Sequence, residues 1–222
     1  MELMQLTERL IRAQEDERQR LARDLHDDIG QRLSLLIIGL DRLKHQLSTD
    51  LRSEREQVAV ALEAASTLAT DIHGLSHQLH SSKLQHLGLK SALRELCVQM
   101  SRQHAIEVQL SASNAPWAVT AEKSLCLYRV AQEALKNAAK HGGGSMIKVE
   151  LEALHGFLQL KVSDNGEGFD VNNYDPGLGL ASMRERMRMV GGTLEIHSSR
   201  GGGTEIVTRV EVSAMAQSAS AD

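Results

Sequence analysis

The stretch LYRVAQEALKNAAKHG, residues 127 to 142, carries two helical patterns at once. Val130, Ala134, Leu135 and Ala138 supply an apolar surface, while Glu133, Asn137, Lys140 and His141 fall at i, i+4, i+7 and i+8 and share another face. An amide one turn from a carboxylate can complete the oxygen shell of Mg²⁺, a hard cation that keeps waters and shares phosphate oxygens as ligands. Lys140 can then meet a phosphate. Taken alone, the helix reads more readily as an ordinary charged outer face, so its neighbours in the chain decide.

Downstream, LQLKVSD (158 to 164) reads as a strand running straight into NGEGF (165 to 169). Asp164 therefore stands at a strand end, followed by Gly166 and Gly168 where the backbone can be approached closely. A carboxylate in such a place can accept a hydrogen bond from an exocyclic amine such as that of adenine. DPGLGLASMRER (175 to 186) sets Gly177 and Gly179 just ahead of a helix, whose first amides can meet anionic phosphate. RGGGTEI (200 to 206) gives a flexible turn, then Thr204 entering a last strand. One glycine pair is weak evidence; four blocks in this order are a nucleotide pattern.

The surrounding elements supply the fold. LKSALRELCVQMSRQ (89 to 103) reads as a helix, AIEVQLSA (105 to 112) as an alternating strand and NAPWAVTAEK (114 to 123) as a loop. A helix over about 121 to 141 follows, then strands at 146 to 154 and 157 to 165, a helix from about 180 to 190, and strands at 193 to 199 and 204 to 212. Helices and mixed strands in this order imply an α/β sandwich, a sheet covered on one face by helices. The tail SAMAQSASAD (213 to 222) is small and polar and reads as disordered.

Upstream, apolar positions from Leu3 to Leu47 step mostly by three and four, which predicts one long helix. The spacing slips between Ala13 and Ala22, where QEDERQRL (14 to 21) is almost wholly charged, so a loosened coil is expected there. STDLRSE (48 to 54) supplies turn formers before a second helical stripe through Leu62, Ala65, Leu68, Ile72, Leu75 and Leu79. Two antiparallel helices cannot shield one stripe each. Pairing two copies into a four-helix bundle would bury all four, so a homodimer is expected. The whole is an α+β chain: a helical hairpin over 1–84, an α/β sandwich over 85–212 and a tail over 213–222.

Composition narrows the function. A formal charge of −4 and 2% aromatic residues give neither a basic field nor stacking platforms for nucleic acid. Cys97 and Cys126 are the only cysteines and form no CxxC pair, which suits a reducing, cytoplasmic compartment and buried packing. MELMQLTERLIRAQEDERQR (1 to 20) lacks a signal-peptide core, and nowhere do about 18 uncharged apolar residues run together. Neither export nor membrane crossing is expected of this stretch; a membrane-spanning sensor portion in a longer parent is compatible with it.

The four blocks resemble the ATP-binding domain shared by histidine kinases, type II topoisomerases, Hsp90 chaperones and MutL proteins, the GHKL type. EALKN (133 to 137) looks like the N box, DNGEGF (164 to 169) and GLGL (177 to 180) like the two glycine boxes, and GGGT (201 to 204) like the closing box, a likeness spanning 88 to 212. The resemblance implies ATP, with Asn137 on Mg²⁺, Asp164 on adenine and Gly168 to Gly179 as a short lid. It assigns Lys140, His141, Gly166, Gly168, Gly177, Gly179, Leu180, Gly203 and Thr204 to the nucleotide as well.

With that domain in view, ERQRLARDLHDDIGQRL (17 to 33) is similar to the phosphoacceptor box of two-component sensor histidine kinases, in the NarX/DesK-like subfamily of nitrate sensors and the membrane-fluidity thermosensor. The likeness implies autophosphorylation on His26, with Asp27 orienting the ring and taking its proton, and transfer to an aspartate of a response regulator with a receiver domain and helix-turn-helix output. It implies that Gln31 places a water for removal of phosphate from the regulator; Glu133 polarises an attacking group or assists metal water. Asp27 and Gln31, four residues apart, would share an α-helical face. Ser81 stands where the family usually has proline. His73, His77 and His80 also share a face and read as a polar flank to the second stripe, since no carboxylate or cysteine completes a metal set. Two other readings are a non-catalytic nucleotide-binding dimeric adaptor and an anti-sigma serine kinase; the intact nucleotide residues oppose the first, the hairpin and the HDxxxQ box the second.

Overall fold

The computed structural model describes residues 2–48, 50–79, 82–113, 117–171 and 177–214. The chain forms two compact units, one of Arg9–Ser82 and one of Met1–Glu8 with Lys83–Asp222.

The first unit is helical. Helix α1 (Glu2–Asp24) continues through the charged run at 14 to 21 without a break, because side chains such as Glu17 and Arg20 pair along the helix at 2.6 Å. The irregularity falls instead at Leu25–Gly30, a turn of π-helix, after which α2 (Gln31–Gln46) resumes α geometry. Leu47 turns extended, Leu51 N–H bonds Ser48 carbonyl at 3.1 Å, and α3 (Arg52–Leu79) returns antiparallel. Within this hairpin Ala22 and Ala65 are buried, and Ser76 Oγ donates to the Ala22 carbonyl at 3.0 Å. Neither the π turn nor α2 has a buried residue. Leu36, Leu43, Leu68 and Leu75 of the two stripes remain exposed in the isolated chain, so the hairpin has apolar surface still to be covered.

The second unit holds the main core. Helix α4 (Ser82–His104) contains a break at Gly88, whose φ of 77° is open to glycine, and the chain is helical on either side of that residue. Then come β1 (Glu107–Ala112), β2 (Trp117–Ala118), α5 (Ala121–His141), β3 (Met146–Leu154), β4 (Phe157–Asp164), α6 (Leu178–Met189), β5 (Thr193–Ser198), β6 (Thr204–Glu211) and β7 (Ser213–Ala214). Five strands form one sheet in the order β1-β3-β4-β6-β5, with β1 parallel to β3 and the other pairs antiparallel. The parallel pair is reached through the crossover that contains α5.

Strand alternation divides the sheet faces. Ile147, Val149 and Leu151 of β3 and Leu158, Leu160 and Val162 of β4 are buried in the core with Leu127, Val130 and Leu135 of α5, Met183 and Met187 of α6, and Leu93 of α4. The opposite face is charged: Lys161 lies 2.8 Å from Glu205 and 3.5 Å from Glu150, and the hydrogen bond to Glu205 raises its pKa. Cys97 and Cys126 are buried in this unit, and burial pushes the Cys97 thiol up to about 12. The loop expected at 114 to 123 contains β2, paired antiparallel with β7, so the segment expected as a tail begins in a strand; residues 215–222 lie outside the described part. Among the described residues no helix is long and apolar enough to cross a membrane.

Candidate active site

Thr120 caps α5, its Oγ1 accepting from Lys123 N at 3.2 Å, and the helix then runs uninterrupted to His141. Its inner face packs on the sheet; the other flank enters a cavity of about 410 Å³. Glu133, Asn137, Lys140 and His141 all line this cavity, as their spacing anticipates. They are joined there by Asp164 from the end of β4, Gly168 from the loop after it, Gly177, Gly179 and Leu180 from the entrance to α6, and Thr204 from the start of β6. Gly166 and Gly203 stand in the adjoining loops.

Asp164 pairs in register with Ile147 on one side and Thr204 on the other, so the sheet fixes its backbone. Its Oδ1 accepts from Gly166 N at 2.9 Å, which orients the carboxylate and leaves Oδ2 as an acceptor for a ligand amine. The walls nearby are apolar: Val162, Phe169, Leu180 and Ile206. A flat purine with an exocyclic amine suits that combination of one acceptor and aliphatic or aromatic walls.

The loops around the cavity are tied to one another. Asn165 Oδ1 accepts from Ser145 N at 2.9 Å and Met146 N at 3.0 Å, Glu167 N bonds the Gly142 carbonyl at 2.6 Å, and Gly201 N bonds the Glu167 carbonyl at 2.6 Å. Ser198 Oγ accepts from Phe169 N at 2.8 Å and donates to the Gly203 carbonyl at 2.9 Å. At Gly179 a Cβ would strike Glu133 Oε1, so a side chain there would turn the Glu133 carboxylate aside. At Gly177 a Cβ would meet open space, so local packing does not demand glycine there. Gly177 offers no capping side chain, and the first turn of α6 holds no acidic residue, which leaves its amides available to an anion.

Sequence reading missed Val162, Phe169 and Ile206 as walls, although strand alternation and the GF pair pointed to them. It missed Lys136, which also lines the cavity, and the loop-tying roles of Asn165 and Ser198. Residues 172–176, inside the expected lid, lie outside the described part.

His26 lies in the π turn of the helical unit and is exposed, as are Asp27 and Asp28. Asp28 is engaged with Arg32 at 2.6 Å. Gln31 follows directly after this turn, its backbone N–H bonding the Asp28 carbonyl. His73 of α3 faces the same turn, its ring centroid 6.1 Å from that of His26 with the planes at 45°. His73 is thus more than a flank to the apolar stripe. The His77 side chain, His80 and Ser81 lie outside the described residues.

Two family models match along the chain. Residues 122–214 match the "Histidine kinase-, DNA gyrase B-, and HSP90-like ATPase" family, which is the unit with the cavity. Residues 17–84 match the "Histidine kinase" family, which contains the His26 turn. The chain belongs to the sensor histidine kinases. It is 39% identical over 206 residues to the sensor histidine kinase MctS of Rhizobium johnstonii, covering 91% of this chain and 45% of that protein. It is 34% identical over 210 residues to the oxygen sensor histidine kinase NreB of Staphylococcus carnosus, covering 93% of this chain and 60% of the relative. The chain therefore spans about half of the curated relatives it matches. In fold it is similar to the histidine kinase domain of the Erythrobacter litoralis EL346 blue-light activated histidine kinase, with a TM-score of 0.53, 18% identity and coverage of 82% of this chain and 94% of that one.

Among sensor histidine kinases the helical part and the ATPase sheet are thus found together, as here. The donor set suits a cation that brings its own oxygen ligands: among the described residues no cluster of three His, Cys, Asp or Glu side chains forms a metal cage, and Asn137 has beside it on α5 the carboxylate of Glu133, the cavity's other carboxylate being Asp164 at the end of β4. That is the chemistry of Mg²⁺ shared with phosphates, rather than of a caged structural metal.

Proposed function

We propose that this chain is the transmitter of an ATP-dependent protein-histidine kinase that phosphorylates itself on His26 and passes the phosphoryl group to an aspartate of a response regulator's receiver domain. The observation that carries the reading is the cavity in which Asp164, Glu133, Asn137 and the α6 amides converge, on a chain that also exposes His26. Residues 1–84 are read as the dimerisation and phosphoacceptor part, 85–212 as the ATP-binding part and 213–222 as a tail. The setting is the cytoplasm, where ATP and a receiver are both present.

The roles follow from chemistry. Asp164 accepts from the adenine amine while Val162 and Ile206 face the purine. Lys140, His141 and the start of α6 receive the phosphates, with Gly166, Gly168, Gly177, Gly179, Leu180, Gly203 and Thr204 shaping the cradle. Asn137, with Glu133 a turn earlier, would hold Mg²⁺, which supplies charge neutralisation along the phosphate chain when bound. His26 attacks the γ-phosphorus with its unprotonated ring nitrogen; the bond to phosphorus forms as the bridging oxygen leaves with ADP. The proton on the other ring nitrogen then passes to an acceptor, the part assigned to Asp27.

Exposed apolar residues on both hairpin helices support a homodimer, in which a second copy covers them. Gln31, just beyond the turn that bears His26, is assigned to place a water against a phosphorylated regulator, giving the same surface a phosphatase role. The test is incubation of the purified chain with Mg²⁺ and γ-labelled ATP. Acid-labile, alkali-stable label on the wild type and none on His26→Gln supports the kinase; label retained by His26→Gln, or none on the wild type, rejects it.

A further inference from the structure

We infer that His73 is a second histidine of the phosphoacceptor site, donating a hydrogen bond to the phosphoryl group once that group sits on His26. The inference rests on the reading of His26 as phosphoacceptor. Three observations carry it. The two rings lie 6.1 Å apart, centroid to centroid, and are tilted at 45° rather than stacked. That interval is of the size that one tetrahedral phosphoryl group attached to His26 bridges. Second, the approach belongs to the fold of one hairpin: Ser76, one turn beyond His73 on α3, donates through Oγ to the Ala22 carbonyl, one turn before His26, at 3.0 Å, and is itself buried. The two helices are thus pinned beside both rings. Third, the turn bearing His26 is π-helical with no buried residue, so His26 is held without being enclosed and remains open to a nucleotide or a receiver.

The chemistry is simple. A histidine ring presents at least one N–H in every protonation state. When the phosphorus–nitrogen bond to His26 forms and the bond to the ADP oxygen breaks, the non-bridging oxygens of the transferred group keep their negative charge. An N–H from His73, turned from the interaction it makes in the unphosphorylated chain, meets that charge. Asp27 has the other task, taking the ring proton of His26. Its neighbour Asp28 is paired with Arg32. The result is a division of labour in which Asp27 serves the ring of His26 and His73 serves the phosphoryl group, so that the phosphorylated state of His26 is favoured against return of the group to ADP.

Two substitutions separate this role from plain ring packing. His73→Phe keeps a ring and loses the donor; His73→Gln loses the ring and restores an N–H. The equilibrium between phosphohistidine with ADP and free histidine with ATP is measured by label at a fixed ATP to ADP ratio. It should fall about fivefold in His73→Phe, the size of one hydrogen bond, and stay within about twofold of wild type in His73→Gln, with ATP affinity unchanged in both. An equilibrium unchanged in His73→Phe, or lowered alike in both variants, overturns the inference. A second arm does not use the ATP site: the chain is phosphorylated with potassium phosphoramidate and loss of phosphate is followed by ³¹P resonance, the His26 signal being the one absent from His26→Gln. Loss about fivefold faster in His73→Phe than in wild type or His73→Gln supports the contact; equal loss in wild type and His73→Phe rejects it. Should wild type take no label from ATP, the kinase reading fails while this arm still decides the role of His73.

Discussion

The carboxylate of Glu133 on α5 occupies the space that a side chain at Gly179, in the first turn of α6, would need. Two helices of the ATPase unit therefore touch through an acid and a glycine at the mouth of the cavity. Adding one methyl group must displace either the carboxylate or the helix start. Gly179→Ala should weaken binding of a non-hydrolysable ATP analogue tenfold or more, in line with an overpacking cost of roughly 1–3 kcal/mol. Calorimetric titration of wild type and variant checks this, and Gly177→Ala, where the added methyl meets open space, serves as the comparison with little loss expected.

Asp164 holds the Gly166 amide at 2.9 Å, and in the proposed site its other oxygen accepts from the ligand. Asp164→Asn keeps the shape but exchanges one acceptor for a donor. Affinity for the same analogue should drop roughly 10–100-fold, the cost of setting donor against donor in a partly buried site. Thermal unfolding without nucleotide should move far less than binding does, because the sheet register around Asp164 is carried by backbone pairs.

In the proposed reading Gln31, just past the π turn that bears His26, places a water against a receiver's phosphoaspartate. Gln31→Ala should therefore keep autophosphorylation within about twofold while slowing loss of phosphate from the phosphorylated regulator roughly tenfold or more, the scale of one positioned group. Equal regulator lifetimes with wild type and variant would remove Gln31 from that role.

Leu36 and Leu43 on α2 are exposed in the isolated chain at 51% and 44%. If a second copy covers them, charge at both positions must be desolvated in the dimer. Leu36→Glu with Leu43→Glu should shift the species seen by light scattering from dimer to monomer and leave nucleotide affinity unchanged.

Much of the ATPase unit was legible because its information is local. Leu158, Leu160 and Val162 alternate as a half-buried strand must, and the i, i+4, i+7 spacing of Glu133, Asn137 and Lys140 requires only that 121 to 141 be helical. The π turn had no such signature: LHDDIG scans as ordinary helix, and which carbonyl its amides choose is decided by the hairpin as a whole. The pairing of β2 with β7 was equally hidden, since two residues cannot display a period. The approach of His73 to His26 depends on how α3 lies along α1 and the π turn, a relation between segments some fifty residues apart that spacing within either one does not encode. The charged run at 14 to 21 leaves the helix itself continuous, as the one long helix expected there requires. A gap in apolar spacing weakens a seam between helices, but it does not break the backbone of the helix that carries it.

Helix α5 is a beam held along its inner face by the core and at its far end by the bond from Glu167 N to the Gly142 carbonyl. Its first turn is fastened by the Thr120 cap and by Lys123, whose Nζ donates to the Glu211 carbonyl at 2.8 Å, just where β6 gives way to the latch between β7 and β2. Asn137 lies fourteen residues further along, about 21 Å at the helical rise of 1.5 Å per residue. A tilt of about 3° at the clamp would sweep the Asn137 amide through about 1 Å, an error of the size that disrupts phosphoryl alignment. The aim of the Asn137 amide thus depends in part on the opposite end of its own helix, which the last strands of the chain hold.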